Sequence, residues 1–380
     1  MKKIINYGRQ TIDNSDIQSV IKVLKSNYLT QGPKIFEFES ILKKKFGSKF
    51  CTVVSNGTAA LLMAGKALGW KKGDTVITSP ITFLASANCI VKLGARPDFV
   101  DISNKDFNID LNKLENKLKK NKKIKAVIAV DFAGHPCDWK SLRFLANKYK
   151  IKLINDNCHA IGAKYFNDIK YATKFADIVT HSYHPVKSIT TGEGGAILCN
   201  DKKIYQNLII TRSHSMIKNK SKSKLWHYEI NEAGFNYRIS DIQCALGISQ
   251  LKKLEKFIKK RRLIASFYRK KLIHDKRFIL PLENKNVNHS YHLFPLQINF
   301  KKTKIDKMTL FKKMKLAGIN LQVHYIPIHL QPFYKKKYNF KKGDFINAER
   351  FYEREVSMPV YPSLKIKDAN RVIKTIMKLI

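Results

Sequence analysis

The stretch ADIVTHSYHPVKSITTGEGGAILCN, residues 176–200, decides how the chain is read. Two apolar, β-rich runs, ADIVTHS (176–182) and GAILC (195–199), flank a loop that carries Lys187 among hydroxyls and paired glycines. Runs of the same kind recur upstream: CTVVS (51–55), DTVIT (74–78), PDFVDI (97–102), IKAVIAVDF (124–132) and IKLIND (151–156). Between them lie amphipathic stretches such as LNKLENKLKK and WKSLRFLANKYK. Near-continuous Val/Ile strands alternating with helices predict an α/β fold, a mostly parallel sheet flanked by helices. Ligands of such sheets collect at the carboxyl ends of the strands.

Downstream, Ser240 and Gln243 form a capping-box signature. Ile242, Leu246, Leu251, Leu254 and Ile258 then recur at helical spacing. One long helix is expected, running through KFIKKRR towards Leu272, with the domain transition inside or just after it. The remainder, from YHLFPLQINF through a helix near 305–317 to AERFYEREV and a final helix, reads as a smaller α+β domain. The expected division is a large domain over 1–255, N-terminal segment included, and a small C-terminal domain over 256–380. The lysine cluster KNKSKSK (218–224) reads as a mobile loop.

The formal net charge is +43, from 72 Lys+Arg against 29 Asp+Glu. A surplus of that size can serve nucleic acid, an anionic membrane surface or an anionic substrate. Here it is mostly lysine, spread along the whole chain beside many Ile and Asn residues. Those three amino acids share A/T-rich codons, so genome composition is a sufficient cause, and neither nucleic acid nor a membrane is expected as a partner. No stretch approaches the ~20 apolar residues of a membrane span. The start MKKIINYGRQ turns polar at once and lacks the apolar core of a signal peptide. Cys51, Cys89, Cys137, Cys158, Cys199 and Cys244 are scattered without metal-ligand spacing. Free thiols, no metal site and a reducing cytoplasm are the expectation.

Chemistry concentrates at three places. A single lysine among so many is ordinarily a solvated surface group. Lys187 differs in lying in a strand-to-strand loop where glycines let backbone approach a ligand, and desolvation there would lower its pKa. Asp156 ends the apolar strand IKLIND; it either caps a turn or holds the proton on a heterocyclic nitrogen, as the ring of pyridoxal phosphate (PLP) requires. His159, three residues on, is either a satisfied core histidine or a neighbour of the ring oxygen. SNGTAALLMAGKAL (55–68) reads as a strand-to-helix turn whose free N–H groups suit a phosphate, although many such turns bind nothing. Ser182 can add a hydroxyl there. Phe83, in SPITFLASAN, is either a core aromatic or a ring stacked on the cofactor.

In this order the pieces resemble the fold-type-I PLP aminotransferases that act on nucleotide-linked keto sugars. LTQGPKIFEFE (29–39), SNGTAAL (55–61), GARPDFVDI (94–102), DNCHAIG (156–162), HSYHPVKSITTGEGGAI (181–197), GFNYRISDIQCALGISQL (234–251) and VHYIPIH (323–329) carry the resemblance. It implies a central sheet with a smaller C-terminal domain, Lys187 as the Schiff-base lysine, Asp156 as the pyridinium partner and His159 at the ring oxygen. Phe83 matches the stacking aromatic, and Gly57, Thr58 and Ser182 the phosphate cradle. Asn236 matches a residue reaching the phosphate from the neighbouring subunit, which implies a homodimer with shared sites. Tyr7, the turn Leu29, Thr30, Gln31 and Gly32, Arg238, and the segment Gln322, Val323, His324 and Tyr325 fall where the family holds the nucleotide sugar. NYGRQ, FAGHPCDW (132–139), SYHLFP (290–295) and HYIPIHLQPFY (324–334) look most like the branch serving pseudaminic acid biosynthesis. That branch implies amino transfer from L-glutamate to C4 of a UDP-linked 4-keto-6-deoxy N-acetyl hexose.

Two positions depart from the family pattern: Asn155 where an acidic residue is usual, and Ser215 where a glycine is usual. Other 4-keto or 3-keto sugar aminotransferases share the cofactor residues and remain an alternative. Relatives that dehydrate sugars carry histidine at the position of Lys187, which disfavours that reaction here.

Overall fold

The computed structural model describes residues 4–218 and 226–380. The cluster expected as a loop at 218–224 lies, past Lys218, outside the described residues. Along the chain, α1 (Asn14–Leu24) and α2 (Pro33–Phe46) precede β1 (Phe50–Val54). Then α3 (Gly57–Ala67), β2 (Thr75–Thr78), α4 (Ala85–Lys92), β3 (Arg96–Phe99) and α5 (Leu111–Lys120) alternate. The alternation continues through β4 (Ile124–Val130), α6 (Trp139–Tyr149) and β5 (Lys152–Asp156). After the two-residue β6 (Lys164–Tyr165) and α7 (Tyr171–Phe175) come β7 (Ile178–Ser182) and β8 (Gly195–Cys199), the arms around Lys187. They are followed by α8 (Lys202–Arg212), the short pair β9 (Met216–Lys218) and β10 (Tyr228–Ile230), then α9 (Asp241–Lys252) and α10 (Leu254–Leu272). The rest comprises β11 (Phe278–Ile279), β12 (Val287–Asn288), β13 (Phe294–Ile298), α11 (Lys307–Leu316), α12 (Pro332–Tyr338), α13 (Ile346–Arg354), β14 (Glu355–Met358) and α14 (Ile366–Leu379).

Seven strands form the central sheet in the order β1-β8-β7-β5-β4-β2-β3. Every neighbouring pair from β7 to β3 is parallel, and β8 runs antiparallel to both β7 and β1. Successive residues feed opposite faces, the period-2 rule of a pleated strand. In β4, Val127 and Ala129 join the core with Phe38, Trp139, Leu142 and Leu251, while Ala126 and Ile128 join the core with Ala60, Met63, Ile90 and Leu208. Both faces are therefore apolar, which is why these strands read as continuous hydrophobic runs. The sheet class matches the expectation from sequence.

A second core lies over β13 and β14, from Phe294, Leu296, Val356 and Met358 packed on Leu310, Met314, Val372 and Ile376. It also takes Ile5, whose N–H donates to Gly318 O (2.9 Å) and whose carbonyl accepts from Asn320 N–H (2.8 Å). Helix α10 crosses between the cores: Leu254 and Phe257 belong to the first, Ile264, Tyr268 and Leu272 to the second.

The long helix expected from Ser240 to Leu272 is two helices. The capping box at its start is present, but Lys253 (φ −99°, ψ −1°) closes α9 and opens α10. Its N–H tightens onto Gln250 O and Leu251 O, and its ammonium is drawn to Asp13 (2.9 Å) and the buried Asp16 (2.6 Å) at the start of α1. A tertiary ion pair thus accompanies an interruption that periodicity does not encode.

Arg261, on α10, is 1% exposed. Its Nη1 donates to the carbonyls of Val360 (2.7 Å), His292 (3.1 Å) and Tyr291 (3.4 Å), and Nη2 to those of Val186 (3.3 Å) and Lys187 (3.4 Å). Burial pushes its pKa down to about 10. An Arg261→Met variant leaves those carbonyls without a donor and should lose about 3 kcal/mol or more of stability in urea denaturation. The exposed neighbour Lys260→Met should stay within about 0.5 kcal/mol of the native chain.

Candidate active site

A cavity of about 1070 Å³ opens where the carboxyl ends of β5 and β7 meet the start of α3, and Tyr7 and residues 322–325 form part of its wall. This is the position that strand order dictates for a ligand in an α/β sheet. Asp156 is the last residue of β5 and is buried. Its Oδ2 accepts from Ser86 Oγ (2.7 Å) and its Oδ1 from Cys158 N–H (3.2 Å). Ser86 Oγ is itself 2.9 Å from Thr82 Oγ1. Lys187 lines the same cavity and is half-buried, and burial lowers its amine below the ordinary lysine value.

His159 is buried, and its Nδ1 accepts from Ala133 N–H (3.4 Å). The proton of the neutral ring therefore sits on Nε2, 3.1 Å from the Tyr325 hydroxyl. Burial, with Lys187 and His324 nearby, holds His159 well below its usual pKa. The His292 ring lies 4.5 Å from it, with a buried Nδ1 that has no partner among the described residues.

At the start of α3, Asn56 caps with its side chain on Ala59 N–H (2.8 Å) and its carbonyl on Ala60 N–H (3.1 Å). That leaves the Gly57 and Thr58 amides unpaired among the described residues, on the cavity wall. A Cβ on Gly57 would stand 2.8 Å from Ser182 Cβ, so only glycine lets the helix start approach the end of β7. Free amides, the Ser182 hydroxyl, a desolvated lysine and a buried carboxylate fit the phosphate, aldehyde and ring nitrogen of PLP.

Of the residues singled out from sequence, Gly57, Thr58, Phe83, Asp156, His159, Ser182, Lys187, Tyr7, Gln322, Val323, His324 and Tyr325 all line this cavity. Phe83 is 55% exposed, so it stands on the wall and not in the core. Asn236 lines the cavity of its own chain, where the Ser55 N–H bond to Tyr237 O (2.8 Å) pins its neighbour beside α3. Leu29, Thr30, Gln31, Gly32 and Arg238 do not line the cavity of their own chain. Asp241 holds their turn elsewhere, accepting from Gly32 N–H (2.8 Å) and Lys34 N–H (2.9 Å) and donating its own N–H to Leu29 O (3.0 Å). Gln31 and Arg238 line a separate groove of about 200 Å³.

Sequence reasoning missed Ser86, His292 and Arg261. Ser86 lies three residues past Phe83 but 70 from Asp156, and no local pattern joins them. Arg261 hides in a basic run, KFIKKRR, that reads as a solvated face.

A lysine and a carboxylate so placed are the equipment of a PLP-dependent enzyme, and known proteins identify the reaction class as transamination. The model of the DegT/DnrJ/EryC1/StrS aminotransferase family matches residues 10–377, and the chain belongs to that family. It is 40% identical over 378 residues to the UDP-4-amino-4,6-dideoxy-N-acetyl-beta-L-altrosamine transaminase of Campylobacter jejuni, covering 99% of this chain and 98% of the relative. Among solved structures, Helicobacter pylori PseC, an aminotransferase of pseudoaminic acid biosynthesis, superposes with a TM-score of 0.91 at 32% identity, over 99% of both chains. The PLP form of a putative sugar aminotransferase from Streptococcus pneumoniae, Spr1654, gives a TM-score of 0.90 at 26% identity, over 99% of this chain and 98% of the other.

Gly57→Ala should weaken PLP binding at least ~10-fold in a titration of the cofactor-free protein, because the added methyl lands on Ser182.

Proposed function

We propose that this aminotransferase moves an amino group from L-glutamate to C4 of a UDP-linked 4-keto-6-deoxy N-acetyl hexose, in pseudaminic acid biosynthesis. The observation that carries this reading is the end-to-end likeness to the Campylobacter transaminase, at 40% identity, together with a cavity spacious enough for a nucleotide sugar.

Lys187 would hold PLP through Nζ, Asp156 its ring nitrogen, and Gly57, Thr58 and Ser182 its phosphate. When bound, PLP supplies an aldehyde that accepts an amino group and a ring that spreads carbanion charge. Lys187 Nζ, its pKa lowered by burial, takes a proton from the donor's Cα and delivers one to C4 of the sugar. Asp156 keeps a proton on the ring nitrogen while the Ser86 hydroxyl fixes the carboxylate's direction. His159 directs its Nε2–H along the Tyr325 hydroxyl and keeps that wall rigid. The diphosphate supplies binding energy remote from the reacting carbon, which orients it.

With L-glutamate as donor, the β-L-arabino 4-keto sugar should be aminated at least ~10-fold more efficiently (kcat/KM) than its D-xylo epimer, since a misplaced keto carbon costs on the order of 100-fold. Lys187→Ala should reduce the rate at least ~1000-fold. Preference for the epimer, or for a 3-keto sugar, overturns the substrate and leaves transamination standing.

A homodimer with shared sites belongs to the same reading. Leu29–Gly32 and Arg238 do not line their own chain's cavity, which supports a contact with the sugar held in a second copy's site. The adjoining side chains Tyr28, Leu29, Phe36 and Phe235 are 48–67% exposed, as expected of a surface that a second copy covers. Mixing inactive Lys187→Ala chains with impaired Arg238→Ala chains should restore activity through one hybrid site. Absence of rescue in demonstrably mixed dimers places Arg238 in cis or outside the site.

A further inference from the structure

Behind the cavity wall lies a polar chain that the amino-transfer chemistry does not use. Glu355 and Ser357 sit two residues apart on β14 and so point to the same face. Both are fully buried. Ser357 donates its hydroxyl to Glu355 Oε1, and Glu355 Oε2 accepts the backbone N–H of His324 (3.0 Å). Ser357 Oγ is also 2.8 Å from His324 Nδ1. The backbones are sewn together as well, Ser357 N–H to Gln322 O (2.8 Å) and Gln322 N–H to Ser357 O (3.3 Å). His324 therefore cannot move independently of β14.

The hydrogen positions follow from the donor inventory. Burial raises the Glu355 pKa to about 7; above that value it is a carboxylate that only accepts, so the Ser357 hydrogen points at Glu355. The serine oxygen can then only accept from the imidazole, which requires the proton on Nδ1. His324 is kept neutral, its pKa pushed down to about 3 by burial and the nearby Lys187. A neutral ring protonated on Nδ1 leaves a bare lone pair on Nε2. His324 lines the cavity, and its Nε2 is accessible and has no hydrogen-bond partner among the described residues, so that lone pair opens to the cavity.

We propose that Glu355, acting through Ser357, fixes the His324 tautomer so that Nε2 accepts a hydrogen bond from a sugar hydroxyl or the N-acetyl N–H. Glu355 and Ser357 are positioning residues, and His324 is the specificity contact. The proposal rests on the nucleotide-sugar reading above for its ligand, but not for its tautomer. A site built as an acceptor discriminates strongly against a sugar lacking the donor, because the lone pair is then left dry. Around Glu355, Lys307 of α11 is the facing cation, itself near Glu353 of α13, while Lys187 is the charge nearest His324.

The test inverts the chain without removing an atom's volume. In Glu355→Gln the amide oxygen still accepts the His324 N–H, but its NH₂ donates to Ser357. The serine hydrogen then turns to His324 Nδ1, and the ring proton moves to Nε2. With ¹⁵N-labelled histidine and His324→Gln to assign the signal, the native PLP-loaded protein at about pH 8.5, above the Glu355 value of about 7, should show an Nδ1–H ring. Glu355→Gln should show Nε2–H, with KM for the keto sugar raised about 10-fold and kcat lowered less than about 3-fold. Should that variant not fold, Ser357→Ala, which cuts the chain in the middle, is read in the same way. A native ring that is Nε2–H or doubly protonated overturns the proposal, as does tautomer inversion with unchanged KM. Native protein that has the Nδ1–H ring but transfers no amino group from glutamate to any nucleotide keto sugar overturns the substrate reading instead.

Discussion

One buried cation organises the molecule. Arg261 makes no ion pair among the described residues and faces only carbonyl oxygens, from the Lys187 loop, from residues 291–292 and from Val360. Taking a guanidinium out of water costs several kcal/mol unless its donors are met. It therefore stays in place only while all three backbone segments converge on it. Those segments come from the central sheet, the entry to β13 and the exit from β14, so the same contacts that meet the two terminal nitrogens hold the lysine loop against the second core.

A comparable logic governs the layer beneath Asp156. Asp131, just past β4, is fully buried and accepts from Cys137 N–H, Trp139 Nε1, Asn155 Nδ2, Asn157 Nδ2 and the Tyr171 hydroxyl. Asn155, one of the two departures from the family pattern, faces that carboxylate with a donor. A second carboxylate at 155 would oppose it at close range. The amide lets β5 carry its terminal Asp156 to the cavity without setting a second negative charge beside Asp131.

Much of this was legible in the sequence. All seven central strands and the loop of Lys187 stand where the β-rich runs put them, because residues buried on both faces leave a continuous apolar trace in every strand but the edge strand β3. The cavity residues at strand ends and at the start of α3 follow from the same geometry. Contacts that join distant segments left no local trace. Lys253, between α9 and α10, pairs with the distant Asp13 and Asp16, the partner of Asp156 sits on α4, and Arg261 looks like any solvated basic residue. The turn at Leu29–Gly32 was placed by likeness alone, and Asp241, more than 200 residues away, decides where it lies. The division at residue 255 falls at the first turn of α10, which serves both cores, and Ile5 packs with the far one.

Ile5 and Tyr7 give the chain an order of assembly. On a ribosome they emerge ahead of the central sheet, yet Ile5 packs into the core that β13, β14 and α14 complete. The strands around Lys187 and Asp156 are synthesised before the last hundred residues, but the contact that holds the Lys187 loop, from Arg261 to Val360, waits for them. The wall shared by Tyr7 and Tyr325 waits for them too. The amine thus exists on the chain before either the contact that fixes its loop or the chamber that confines it.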